Sequence, residues 1–200
     1  MASSLMRLVI DSATEYLYLA LYENLQKRDS VYLKGDNNHS ETLMVELKRL
    51  LEQQGVRPQN LDEIYVGVGP GSYTGVRIGV VVAKILAYSL NIPVYTISSL
   101  TLLASSEKSP LIVPYIDARR GYVFASVMRC QEGILTTVND DAYCNFEELK
   151  ATVDGTYICA GEPDFAVIYR SQLFVRVDNL HHLAPVYLRK TEAETNLNKG

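Results

Sequence analysis

The chain has 200 residues, 48% of them hydrophobic, and a formal net charge of −4. That supplies apolar material for one core or for two lobes of about 100 residues each. The 19 Lys and Arg are scattered instead of massed in a stripe, which argues against nucleic-acid binding through a charged surface of its own and places any RNA contact with a partner.

Taken in chain order, Arg7–Ile10 and Leu17–Tyr22 are two β segments joined by the turn DSATEY, and Val31–Leu33 is a third strand before the polar break GDNN. The segment NHSETLMVELKRLLEQQG reads as an amphipathic helix. Asn38 would cap it, Leu43, Leu47, Leu50 and Leu51 form its stripe, and Gly55 ends it. Ile64–Val68 is a short buried strand, GPGSYTG a connection, and Val76–Leu90 a helix apolar nearly all round. Val94–Ile97 closes this half as a strand, and SSLTLLAS is a short serine-capped helix leading out of it.

The second half repeats that plan: Leu111–Ile116, the turn DARRG, Tyr122–Arg129, Ile134–Val138, a helix over FEELKATV and a strand Tyr157–Ala160. A meander followed by alternating helix and strand, twice over, points to internal duplication. After Gly161 the pattern thins to one short helix within Pro163–Arg170 and one strand, Leu173–Val177, so the second lobe reads as truncated. The resulting expectation is an N-terminal lobe over 1–104, a shortened C-terminal lobe over 105–190, and a flexible polar tail over 191–200. Cys130, Cys144 and Cys159 lack metal-ligand spacing and read as free, reduced, buried thiols. No run reaches the ~18 apolar residues of a membrane span, and Asp11 and Glu15 interrupt the apolar start where a signal peptide would continue. A cytoplasmic protein is expected.

The stretch GVGPGSYTGVRIGV, residues 67–80, poses the central question. A Walker-type phosphate loop needs a Lys and a Ser or Thr after its glycines, whereas Val76 and Arg77 follow Gly75 here. A dinucleotide fingerprint fails as well, for want of an acidic ribose ligand downstream. Backbone architecture accounts for more of the letters: Gly69 and Gly71 for positive φ or close approach, Pro70 to stiffen the turn, and Ser72 or Thr74 to cap the helix opening near Gly75. A helix N-terminus with free amides remains compatible with a weakly held anion.

GPGSYTGVRIG closely resembles the signature of the TsaB (YeaZ) family, bacterial accessory subunits in threonylcarbamoyladenosine formation on transfer RNA. DSAT, NHSETL, IPVYTISSL, DARRGYVFAS and PVYLRK fall in the family's order, so the resemblance covers nearly the whole chain; the segment between Gly161 and Pro185 is shorter by about a helix. The resemblance implies an α/β fold of the duplicated actin-like ATPase type (ASKHA, ribonuclease H-like), two lobes of mixed sheet flanked by helices. In active members of that fold, glycine-rich turns bind phosphates and a carboxylate helps hold metal. Here Asp11 and Ser12 occupy the first turn and Asp117 and Arg119 the second, where Arg119 and Arg120 stand before the single Gly121. Bulky side chains where phosphate oxygens would meet backbone amides imply no ATPase in this chain alone, no catalytic residues and no cofactor; nucleotide is compatible only with the boundary of a complex. For Asp11, an Asx turn is the competing role.

His39, His181 and His182 lack the helical i, i+4 spacing of a metal site, and GPGSYTG is not a nucleophile elbow, so no metal and no hydrolase chemistry is expected. The resemblance instead implies a scaffold that binds and activates a TsaD-type transferase, with a TsaE-type ATPase as a further partner. Transfer RNA, modified at the adenosine beside ANN-decoding anticodons, would be reached only through the complex. Met44, Leu47 and Leu51 of the first long helix and Val80, Lys84 and Tyr88 of the second are the expected partner-binding residues, with Met44, Leu51, Lys84 and Tyr88 reaching outward. The same face would allow a homodimer when the chain is alone. A small-molecule kinase or ATPase of the same fold is the main alternative, and a peptidase using Ser72 a weaker one.

Overall fold

The computed structural model describes residues 4–35 and 39–189. Asn38, the expected cap, and the tail 191–200 lie outside the described residues. Two mixed sheets carry the fold, and the first is built from a meander. Strands β1 (Met6–Asp11), β2 (Tyr16–Glu23) and β3 (Gln26–Lys34) pair antiparallel, since short polar turns between alternating and continuous apolar runs leave room for no other connection. Helix α1 (His39–Gln53) crosses to β4 (Glu63–Gly67), which lies parallel to β1, and helix α2 (Tyr73–Leu90) crosses to β5 (Val94–Ile97), parallel to β4. The short helix α3 (Ser99–Ala104), capped by Ser98 as expected, leads out.

The second sheet starts over with β6 (Leu111–Asp117), β7 (Tyr122–Gln131) and β8 (Ile134–Asn145), again an antiparallel meander. Helix α4 (Phe146–Thr152) crosses to β9 (Thr156–Ile158), parallel to β6. The two strand orders, β3-β2-β1-β4-β5 within the first sheet and β8-β7-β6-β9 in the second, repeat one plan. The duplication expected from the sequence is present.

It stops short where the sequence thins. Helix α5 (Phe165–Ser171) occupies the position after β9 that α2 occupies after β4. The strand expected over Leu173–Val177 is reduced to β10 (Val175–Arg176), and it pairs antiparallel with β5 at the edge of the first sheet, not with its own lobe. From there the chain stays on the N-terminal half: Val177 N–H donates to Val94 O at 2.9 Å, Leu183 is buried, and Val186 N–H donates to Val68 O at 2.8 Å.

Each face of the first sheet buries its own core. On one side the α1 stripe, Leu43, Leu47, Leu50 and Leu51, meets Val76, Val80, Ala83 and Ala87 of α2 over Leu8, Ile10, Leu19 and Ile64. Between the sheets lies the second core, where Phe165 and Ile168 of α5 fill the space against Tyr22, Tyr65, Leu102 and Met128. Tyr65 meets Phe165 edge-on at a centroid separation of 4.5 Å. The shortened lobe thus spends its last helix as filler between the sheets.

Two expectations are corrected here. Helix α2 is, with its 18 residues, long and apolar enough to cross a membrane, which the sequence reading had excluded. One of its faces packs on the sheet, and Arg77 and Lys84 lie off that face. The cysteines are less buried than expected: Cys130, near the end of β7, and Cys144, on the edge strand β8, are half-buried, and Cys159, just past β9, is exposed.

Phe165 is fully buried at the junction of both sheets, so Phe165→Ala should lower unfolding free energy by about 3–5 kcal/mol, read as a shift in denaturant midpoint; a loss below about 1 kcal/mol would show that the inter-sheet core repacks freely.

Candidate functional site

The glycine-rich segment lies against the turn between β1 and β2. A side chain at Gly71 would run into Ala13 O, one at Gly75 into Ser12 O, one at Gly67 into the Asp11 carboxylate and one at Gly79 into Ser12 Oγ. Ser72 N–H donates to Ala13 O at 2.7 Å, and Ser12 Oγ donates to Gly75 O at 2.8 Å. Ser72 is the cap of α2, its Oγ accepting from Gly75 N–H, and the helix opens at Tyr73, three positions before the expected start. Thr74 lies inside the first turn, exposed. Gly69 takes a φ of +92°, a conformation that a residue with a side chain rarely adopts. These glycines bring two backbones together.

Asp11 is at the centre of that contact. Its Oδ1 accepts from Ser99 Oγ at 2.9 Å and from Ala13 N–H at 3.1 Å, and Ser99 Oγ in turn accepts from Gly69 N–H at 3.1 Å. The Asx-turn role is therefore what the carboxylate performs. Burial pushes its pKa up to about 6, opposed by the hydrogen bonds from Ala13 and Ser99. Ser12 is likewise buried, its hydroxyl engaged within the fold.

The corresponding turn in the second lobe is different. Asp117 is exposed, its Oδ1 accepts from Arg119 N–H at 2.9 Å, and Arg119, Arg120 and Gly121 all have positive φ, +67°, +58° and +78°. Side chains at the first two positions project from a bend that a phosphate-binding turn would build from glycine. Among the described residues no cluster of three His, Cys, Asp or Glu side chains is placed to hold a metal ion.

Of the residues expected at a partner face, Met44 is 51% and Tyr88 76% exposed, whereas Leu47, Leu51 and Val80 are buried in the α1–α2 core. Leu51 in particular faces inward, correcting the expected outward position. It completes the stripe of Leu43, Leu47 and Leu50, so the widened apolar pattern is spent on the sheet. Lys84 is half-buried, its Nζ donating to His181 O at 3.2 Å. The residues that do face outward were missed in part: Val81 and Ile85, with Tyr88, stand at i, i+4 and i+7 on α2, and Val45 accompanies Met44 on α1. Their signal was the all-round apolarity of α2, more than one sheet contact can use.

Arg77 was taken as part of the loop and has another setting. Its Nε donates to Tyr187 Oη at 2.8 Å, its Nη2 donates to Tyr73 Oη, and its guanidinium lies 4.0 Å from the Tyr73 ring centroid. The segment 183–189 thereby reaches across the loop, and Arg189 lies 5.5 Å from the Tyr143 ring on β8.

Two measurements test this site. Gly75→Ala should gain up to ~1 kcal/mol of helix propensity yet lose more by driving a methyl into Ser12 O, for a net destabilisation on the order of 1–3 kcal/mol; a more stable variant would mean the loop is not held against the turn. Because the folded pKa of Asp11 lies above its ordinary value of 3.8, its contribution to stability is complete below that pH and falls as pH rises to about 6. The decline should be at most about 3 kcal/mol and should be reduced in Asp11→Asn, whose amide oxygen keeps both acceptor contacts, when denaturation midpoints are compared across that window.

A protein-family model described as TsaD, tRNA N6-adenosine threonylcarbamoyltransferase, matches residues 34–164. The tRNA threonylcarbamoyladenosine biosynthesis protein TsaB of Bacillus subtilis (strain 168) is 42% identical over 142 residues, covering 67% of this chain and 59% of that protein. The protein of the same name from Escherichia coli (strain K12) is 30% identical over 132 residues, 64% of this chain and 57% of that one. The chain therefore aligns with somewhat more than half the length of these curated relatives. Among solved structures, YeaZ from Pseudomonas aeruginosa superposes with a TM-score of 0.77 over 92% of this chain and 100% of that one, at 23% identity, and so shares its fold; together with the family-model match, this fits the α/β actin-like type. With the motif order, the duplicated sheets and these matches in agreement, the chain belongs to the TsaB (YeaZ) family.

Proposed function

We propose that this chain is an accessory subunit in the formation of threonylcarbamoyladenosine on transfer RNA, acting in the cytoplasm by binding and activating a TsaD-type transferase, with a TsaE-type ATPase as a further partner. The observation that supports it best is the pairing of an outward apolar stripe with a spent phosphate region. Val81, Ile85 and Tyr88 present a row of exposed apolar side chains on α2, away from the face packed on the sheet. Meanwhile the polar groups of Asp11 and Ser12 are engaged by Ser99, Ala13 and Gly75. A helix pair of this kind suits association with a matching helix pair, giving a bundle whose apolar centre is rimmed by Lys84 and Arg77. The same surface serves a homodimer when the partner is absent, and a nucleotide would find a place only at the boundary with a second chain.

On this reading Ile85→Glu should weaken binding to the cognate transferase subunit at least ~10-fold, measured by titration calorimetry, while leaving the melting temperature close to that of the parent because the side chain is exposed. Undiminished binding would remove α2 from the interface. Turnover of ATP by the isolated chain would favour the kinase or ATPase alternative instead.

A further inference from the structure

Beside α2, the face of the first sheet around β5 is covered by a strap of irregular chain instead of a helix. After β10 the chain makes one 3-10 turn, Leu180–His182, with Asn179 Oδ1 accepting from His181 N–H at 2.9 Å, and runs on without helix or strand through Arg189. A single irregular chain is about half as wide as a helix, so it covers less of the sheet beneath it. Between strap and sheet lies a cavity of about 350 Å³, open to solvent and walled by Val68, Val177, Leu183, Ala184 and Val186. Both ends of the strap are fixed. Val177 N–H donates to Val94 O at 2.9 Å, Val186 N–H donates to Val68 O at 2.8 Å, and Leu183 between them is buried. The cavity is therefore formed before any ligand arrives, and its volume is that of a small-molecule site at the lower end of the usual range of about 300–1,000 Å³.

We propose that this cavity binds a small organic cation, a primary amine or guanidine carried on an apolar body. Asp178 is the only lining side chain with a formal charge at neutral pH, and among the described residues nothing pairs with its carboxylate or donates to it. Lys84, which approaches the strap from α2, directs its Nζ to His181 O at 3.2 Å, and neither residue belongs to the lining. The lining is thus negative and carries no cation of its own. An anionic ligand would meet Asp178 with nothing in the lining to offset the repulsion, and an uncharged hydrocarbon would gain nothing from it. A bare metal ion fits poorly, because Asp178 and His182 are joined by no third His, Cys, Asp or Glu placed to complete a coordination shell. The apolar walls suit a hydrocarbon body, and by lowering the local dielectric they make the attraction of a carboxylate for an ammonium larger than at an open surface. His182, whose ring has no partner among the described residues, offers one further contact for a polar substituent. The site is separate from association through α2, since the cavity is complete in the isolated chain.

The test titrates the full, isotope-labelled chain with phenethylamine and follows amide chemical shifts, using phenethyl alcohol and hydrocinnamate as neutral and anionic probes of the same shape. Saturable shifts are expected for the amine, with a Kd on the order of millimolar for so small a probe, centred on Val68, Thr96 and the strap residues 177–186. The alcohol should bind about 3- to 5-fold more weakly than the amine, and the carboxylate more weakly still. Asp178→Asn should lower amine affinity to that of the alcohol. Ala184→Phe, which adds bulk to the cavity wall, should weaken amine and alcohol alike, and melting curves establish that both variants are folded. No saturable shift with the amine, shifts centred away from the strap, or binding of the alcohol or carboxylate as tight as that of the amine would each overturn the proposal. Parental amine affinity in Asp178→Asn would remove the carboxylate from the site, and parental affinity in Ala184→Phe would place the amine outside the cavity; either overturns it equally. Transferase binding, measured separately on the same protein, reads the association through α2 alone, so the two readings fail independently.

Discussion

The contact between the glycine-rich segment and the β1–β2 turn is the constraint on which the rest of the molecule depends. Gly71 and Gly75 bring one backbone onto the carbonyl oxygens of Ala13 and Ser12, a distance at which no side chain fits. That approach sets the start of α2, and the start of α2 sets which of its residues meet the sheet and which face solvent. It also closes over the Asp11 carboxylate, whose hydrogen bonds to Ala13 and Ser99 tie the turn, the loop and α3 together. A region that in its general outline could cradle an anion is instead filled by the protein's own backbone.

The same packing explains how chemistry and association separate in this fold. Buried hydroxyl and carboxylate groups at the first turn are satisfied internally, and the second turn presents arginines in left-handed backbone. What faces outward on α2 is a row of apolar side chains, Val81, Ile85 and Tyr88.

Much of this was legible in the letters. The order of strands and helices follows from alternation, turn residues and the Leu stripe of α1, and the repeat in the second half follows from the same signals. Leu51 was misjudged because helical periodicity gives the angle of a residue about its axis but not the width of the neighbour that covers it. Val81 and Ile85 were overlooked for the converse reason: in a helix apolar nearly all round, nothing in the sequence marks the side that the sheet leaves open. The contacts of Arg77 with Tyr187 and of Arg189 with Tyr143 were invisible because they depend on a long-range path, the return of residues 183–189 over the loop, which no local pattern encodes.

The placement of β10 carries a consequence for how the molecule is made. By pairing with β5, it covers with two residues the outer backbone of a strand that would otherwise end the first sheet. Until about residue 176 has emerged during synthesis, the N-terminal half carries a bare hydrogen-bonding rim of the kind that invites pairing between chains. The halves of the duplication are therefore not independent folding modules: the later one supplies a guard for the earlier one, and a chain stopped before that point would be prone to aggregate even though its two helices and most of its apolar core were already in place.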